Sequence, residues 1–189
     1  NNLPQIENKI GNPLSPYALS KRANEIFCSF YETDMNIFGL RYFNVFGKRQ
    51  NPNGPYAAVI PKWIDLFLKN KNIEIYGDGT ISRDFSYIDN VVQANILAAL
   101  NNQNLLDPEI LNIACGQSTS LKELAVLIKN TIKRVSGLNL TSEIVHKKER
   151  KGDIQHSYAN ITKAKELINF NPSHNIKDGL EELIFQILE

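Results

Sequence analysis

Short apolar runs alternate along the chain with longer stretches of helical period. That alternation limits the fold more than any other feature. Ile37–Phe43, Ile73–Tyr76 and Ile110–Ala114 are apolar runs of strand length. Between and around them lie amphipathic segments. Pro16 to about Thr33 carries Leu19, Ala23, Ile26, Phe27, Phe30 and Tyr31 at helical spacing, and Val59 to about Lys69 repeats the pattern. Strands separated by helices predict an α/β fold. Local signals set the boundaries. Ser15-Pro16 is a helix start, because Ser can cap and Pro fits the first helical position. Ser120-Leu-Lys-Glu123 has the capping-box pattern. Asp89 is expected to cap a helix through Leu100, Asn160 and Thr162 to open one through Ile168, and a last helix to span about 176–188. Asn44–Gly47 reads as a strand exit, Gly77-Asp-Gly79 as a turn and Phe85–Ile88 as a short extended piece. Residues 1–14 and 48–57 read as loops, and 142–158 are mostly charged and polar.

Composition excludes some function classes. With 42% hydrophobic residues over 189 positions the chain can bury a core, and its length suits one domain or a little more. A formal net charge of +1 supplies no global field for nucleic acid or an anionic membrane. No apolar run approaches the roughly 18 residues of a membrane-spanning helix, so neither nucleic acid nor membrane is an expected partner. Cys28 and Cys115, both in apolar surroundings, are expected as buried free thiols of a reducing, cytoplasmic compartment. The three His residues are scattered and suggest no metal site. Ten Gly residues include no G-x-G-x-x-G turn, which a dinucleotide pyrophosphate requires. The start, Asn1-Asn-Leu-Pro-Gln, is polar and irregular, without Met or a signal-peptide pattern. The expectation is the back portion of a longer protein.

Tyr17 and Lys21 lie four residues apart at the head of the first helix, hence on one face. An ammonium beside a phenol favours the phenolate, as does a helix N-terminus. A phenolate can take a proton from a sugar hydroxyl. With seven Tyr and many Lys in the chain, the spacing alone is close to chance.

The surrounding residues carry more. Pro13-Leu-Ser-Pro-Tyr-Ala-Leu-Ser-Lys21 resembles the Tyr-x-x-x-Lys segment of the extended short-chain dehydrogenase/reductases, the NAD-dependent epimerase/dehydratase family. Leu40-Arg-Tyr-Phe-Asn-Val-Phe-Gly47 resembles their next strand and its exit. Gly77-Asp-Gly-x-x-Ser-Arg-Asp-Phe85, with Tyr87-Ile-Asp-Asn90, resembles the segment that meets the nucleotide, and Arg150-Lys-Gly-Asp153 the late Arg-x-Gly-Asp element. The four segments stand in family order and together cover most of the chain. Asn53–Trp63 is similar to the bacterial UDP-N-acetylglucosamine 4-epimerase branch.

The resemblance implies the C-terminal part of a Rossmann-type fold plus a small substrate-binding α/β domain. Residues 1–48 and about 86–120 would belong to the NAD-binding part, and about 49–85 and 121–189 mainly to the UDP-sugar-binding part. It implies NAD as cofactor and a UDP-sugar as substrate, with Tyr17 and Lys21 catalytic and also touching NAD. Tyr42, Phe43 and Val45 would line the nicotinamide side. Asn44, Arg83 and Arg150 would contact the diphosphate. Ala58, Val59 and Trp63 would border the uridine, with Glu74 and Tyr76 beside it; by period alone Trp63 is as well a core residue. Asp153 would hold a ribose hydroxyl, and Gln50 would reach the sugar or nucleotide. Ser157 would leave room for a 2-acetamido group where a Tyr would fill it. The implied reaction is C4 epimerisation of a UDP-N-acetylhexosamine, or its uronic acid form, through a 4-keto sugar. A 4,6-dehydratase, a UDP-glucuronate epimerase and an inactive UDP-binding fragment are the alternatives. The family's upstream Ser/Thr is not in this chain, and a homodimer through the Tyr17 helix is implied.

Overall fold

The structure, a computed structural model, describes residues 3–30, 35–53, 58–149 and 155–189. Ser15 Oγ accepts a hydrogen bond from the Ala18 amide at 3.1 Å, and Pro16 takes the first position, so α1 (Pro16–Cys28) starts where the sequence signals it. It stops earlier than its apolar period. Ser29 caps the end, its hydroxyl donating to the Ile26 carbonyl at 2.7 Å, and Phe30 has left the helix. The stretch to Thr33 expected as helix runs into residues outside those described.

β1 (Phe38–Tyr42) pairs in parallel with β6 (Glu109–Ile113), Leu40 opposite Leu111 and Tyr42 opposite Ile113. Against this pair pack α3 (Ile88–Ala99) and α5 (Thr162–Ile168), burying Ala94, Leu111, Ile113, Ala164, Ile168 and Phe170. The α3 start differs from the expectation. Tyr87 is the N-cap residue, without a side-chain bond, and Asp89 sits inside the first turn. An acid there still favours the positive end of the helix.

A second, larger core gathers α2 (Val59–Leu68), β3 (Ile73–Tyr76), α4 (Leu121–Ser136) and α6 (Ile176–Leu188) around Trp63, Phe67, Ile75, Ile128 and Leu183. α4 opens with both halves of its capping box formed by Ser120 and Glu123. The polar stretch 142–158 holds two strands the sequence did not signal. β8 (Ile144–Lys147) pairs in parallel with β3, and β9 (His156–Ser157) pairs with β4 (Ser82–Arg83). β7 (Thr119–Ser120) closes the other edge of β4, antiparallel. β2 (Val45–Phe46) pairs with β5 (Ser86–Tyr87) and links the two cores. Both cysteines are free, but half-buried instead of buried; Cys28 lies on α1, which has no buried residue. Among the described residues no helix is long and apolar enough to cross a membrane.

Candidate active site

The capped start of α1 turns Tyr17 and Lys21 into a cleft of about 580 Å³ between α1 and β1. The Lys21 ammonium lies 5.4 Å from the centre of the Tyr17 ring. Tyr42, from the last position of β1, lines the same cleft, its hydroxyl donating to Asn95 Oδ1 at 3.1 Å. Glu25 and Arg41 also line it, joined by a two-pronged ion pair. Sequence reading passed over both. The signal was there: Glu25 continues the four-residue step of Tyr17 and Lys21.

Two residues past Tyr42, the chain has crossed to a second cleft of about 270 Å³. Asn44, Val59, Trp63, Glu74, Tyr76 and Arg83, six of the residues expected at the nucleotide, line it together. Trp63 is buried and belongs to the large core, so it serves as core residue and cleft wall at once. Asn44 adopts a positive φ of 35°, and its side-chain amide donates to the Asp84 carbonyl at 2.8 Å. On β3, Ile73 and Ile75 are buried while Glu74 is exposed and Tyr76 half-buried, the alternation of a one-sided strand. Arg83 Nη1 donates to the carbonyls of Ser82 (2.8 Å) and Gln155 (3.3 Å). Ser157 stands opposite Arg83 in the β4–β9 ladder and is buried. Lys62, Ile75, Ile81, Phe85 and Leu121 complete the lining and were missed; Lys62 sits between Val59 and Trp63 on α2.

The other expected residues fall around these clefts. Phe43 is half-buried beside Ala114, Ala159 and Ile161. Val45 pairs with Ser86. Gln50 Nε2 donates to the Val45 carbonyl at 2.9 Å, while its Oε1 is buried without a protein partner. Ala58 is exposed at the N-cap of α2. Arg150 and Asp153 lie outside the described residues.

Beneath the second cleft Asp84 is fully buried. Its carboxylate accepts the backbone N–H groups of Cys115 (2.9 Å), Gly116 (3.0 Å) and Ala159 (3.3 Å), tying β4 to the exits of β6 and β9. Burial pushes its pKa up to about 6, and those N–H groups pull it back down. Burial, then the Asp84 charge, raise Cys115 to about 11, so this thiol is a protonated packing group at neutral pH. His174, scattered from the other His residues in sequence, comes within 4.8 Å of Asp89 and Glu182, with Nε2 3.2 Å from the Glu182 carboxylate.

The donors present suit part of a dinucleotide. An ammonium, a phenol and an aromatic ring share the first cleft, which fits a nicotinamide riboside. No glycine turn for a pyrophosphate stands in the sequence. The second cleft offers the cations Lys62 and Arg83 beside Trp63, Tyr76 and Phe85, a donor set for a nucleoside diphosphate.

Comparison with known proteins shows the family. A sequence profile of the NAD dependent epimerase/dehydratase family matches residues 2–114. A UDP-N-acetylglucosamine 4-epimerase from Methanobrevibacter ruminantium M1, solved with UDP-N-acetylmuramic acid, is 38% identical, with a TM-score of 0.84 over 99% of this chain and 58% of its own. The Thermotoga maritima UDP-glucose 4-epimerase, solved with UDP-glucose, is 34% identical, with a TM-score of 0.86 over 100% of this chain and 59% of its own. A UDP-glucuronate 4-epimerase from Thermodesulfobacterium geofontis is 33% identical over 93% of this chain and 51% of its own length. The chain spans little more than half the length of the curated relatives it matches.

Proposed function

The chain belongs to the NAD dependent epimerase/dehydratase family, and from that membership we propose that it carries the proton-transfer and UDP-binding part of a UDP-sugar 4-epimerase. One observation supports this reading above the rest. Tyr42 and Asn44, two residues apart, open into different clefts, one holding Tyr17 and Lys21 and the other the residues suited to a nucleoside diphosphate. Two residues span at most roughly 7 Å. A sugar at the first cleft can therefore stay joined to a diphosphate and uridine in the second.

In this reading the Tyr17 phenolate oxygen takes the proton of the sugar 4-hydroxyl and later returns it. Lys21 supports the phenolate and donates to the nicotinamide ribose, with Tyr42, Phe43 and Val45 on the nicotinamide side. NAD bound there supplies uptake and return of hydride at C4, with no net redox change. Arg83, Asn44 and Arg150 hold the diphosphate. Ala58, Val59 and Trp63 border the uridine beside Glu74 and Tyr76, Asp153 holds the ribose, and Gln50 reaches the ligand with its unpaired Oε1. The UDP hold keeps the substrate while the 4-keto sugar turns its other face to the site. We assign residues 1–48 and about 86–120 to the cofactor part and the remainder mainly to the UDP-sugar part. The exposed apolar residues of α1 (Leu19, Ile26, Phe27) suit a homodimer contact. Sedimentation of the full-length protein at twice the chain mass supports that contact, and a monomer contradicts it.

The sugar we propose is an N-acetylhexosamine, because Ser157 is small where a ring would take the place of the acetamido group. Full-length protein incubated with UDP-GlcNAc is expected to yield UDP-GalNAc. A 4-keto-6-deoxy product instead means a dehydratase and contradicts the reading. Ser157→Tyr is expected to lower kcat/KM for UDP-GlcNAc by about tenfold or more while UDP-glucose turnover survives. Equal loss on both sugars contradicts the role of Ser157.

A further inference from the structure

Tyr17, Lys21 and Glu25 fall at four-residue steps on α1 and line one cleft. The Glu25 carboxylate receives Arg41 on both oxygens, Nε to Oε1 at 2.6 Å and Nη2 to Oε2 at 2.9 Å. Arg22 Nη1 adds a third donor at 2.9 Å. Arg41 stands on β1 immediately before Tyr42, and its Nη1 also donates to the Glu7 carbonyl at 3.1 Å. The Glu7 side chain accepts the amide of Asn112, the β6 residue opposite Arg41, at 2.9 Å. Asn112 is buried, and its side chain donates to the Gln5 carbonyl at 3.0 Å. One polar line thus joins α1 to both strands of the sheet beneath it.

A two-pronged guanidinium–carboxylate pair fixes separation and relative rotation together, which a single contact does not. Most helices have their slide and rotation set by a buried apolar stripe. α1 has no buried residue. Its Glu25–Arg41 pair is the better-sheltered feature, with side-chain exposures of 16% and 25%, where solvent and salt screen the attraction less. The held end of the strand is the one that presents Tyr42, and the held helix the one that presents Tyr17 and Lys21.

We propose that Glu25 and Arg41 are positioning residues, whose paired ion bridge sets the register of α1 on β1 and so holds Tyr17 and Lys21 at the reacting sugar. The inference rests on reading Tyr17 and Lys21 as the acid/base pair. Both residues act through that pair and leave the UDP cleft untouched, so they bear on kcat and not on KM.

The test uses the full-length protein with UDP-GlcNAc, and turnover is scaled to UDP-binding sites counted by calorimetry. Glu25→Gln and Arg41→Lys are each expected to lower kcat about 10- to 100-fold, because a misplacement of about 1 Å is enough for such a loss, with KM unchanged. The double variant is expected to lose no more than the worse single one, because both remove one interaction. In a Tyr17→Phe background, Glu25→Gln is expected to cost nothing further. Unchanged kcat per UDP site in Glu25→Gln, or fully multiplicative losses in the Tyr17→Phe background, overturns the inference while leaving the Tyr17 reading in place. Full turnover in Tyr17→Phe alone overturns that reading itself.

Discussion

Asp84 is a carboxylate without solvent, and its backbone donors come from two separate strand exits. Its pKa, pushed by burial up to about 6 from an ordinary 3.8, has a definite consequence for stability. Between those values the folded state binds more protons than the unfolded one. The Asp84 contribution is therefore full below about pH 4, declines as pH rises towards 6, and is level above. The span amounts to about 3 kcal/mol. Glu25 has the opposite sign. The Arg41 hydrogen bonds hold its pKa below the ordinary carboxylate value, so its contribution is present at neutral pH and lost on acidification. Denaturant unfolding of wild type and Asp84→Asn across pH 4 to 7 separates the two, because Glu25 is common to both. The stability advantage of wild type is expected to shrink as pH rises from 4 to 6 and then hold; a constant difference contradicts the account. At this scale the sequence made legible that Asn44, Val59, Trp63, Glu74, Tyr76 and Arg83 belong together, since they line one cleft; four of them sit in motif-bearing segments, and Glu74 and Tyr76 on the strand just before one. Asp84 and Glu25 were not singled out, since their partners lie 31 and 16 residues away. Periodicity reports only neighbours along one element.

At the scale of elements, α6 meets β5 and β2 at Gly179, where an added Cβ would lie 2.7 Å from Tyr87 Cβ and 2.8 Å from Phe46 Cζ. Two effects oppose each other in Gly179→Ala. Helix propensity favours Ala by about 1 kcal/mol. Overpacking against a buried ring base costs about 1–3 kcal/mol. Tyr87 Cβ is next to the backbone and cannot swing away, so the clash is expected to win, and the full-length variant to unfold at lower denaturant with an unchanged slope. A stabilised variant contradicts this packing. The longer elements were legible because each carries its own cause: Ser15-Pro16 for α1, the Ser120–Glu123 box for α4, and an apolar run for β1, β3 and β6. β4, β7 and β9 are two residues each and exist only as a ladder drawn from three distant parts of the chain. β8 has a polar half and takes its strand character from its pairing with β3. Asp89 was misread as a cap because an acid suits both the cap and the first turn.

At the scale of the molecule, the two clefts are of unequal completeness. The second cleft, proposed as the UDP side, rests on the large core, with α2, β3, α4 and α6 packed around it. The first cleft, proposed as the catalytic side, rests on α1, whose apolar residues Leu19, Ile26 and Phe27 are exposed, and on β1, paired only with β6 among the described residues. An open strand edge and an apolar helix face are surfaces that normally have cover. We therefore expect residues 1–189 prepared alone to bind UDP in calorimetry yet leave UDP-GlcNAc unconverted when supplied with NAD; turnover by that preparation would contradict the division. In the function proposed above, Tyr17 moves the proton of the sugar 4-hydroxyl. The most direct test of this is the steady-state rate of UDP-GlcNAc conversion by full-length Tyr17→Phe, with UDP-sugar affinity measured on the same sample. We expect kcat to fall about 10²- to 10⁴-fold, the usual worth of a positioned acid/base group, with affinity retained; turnover at the wild-type rate would rule out that role for Tyr17.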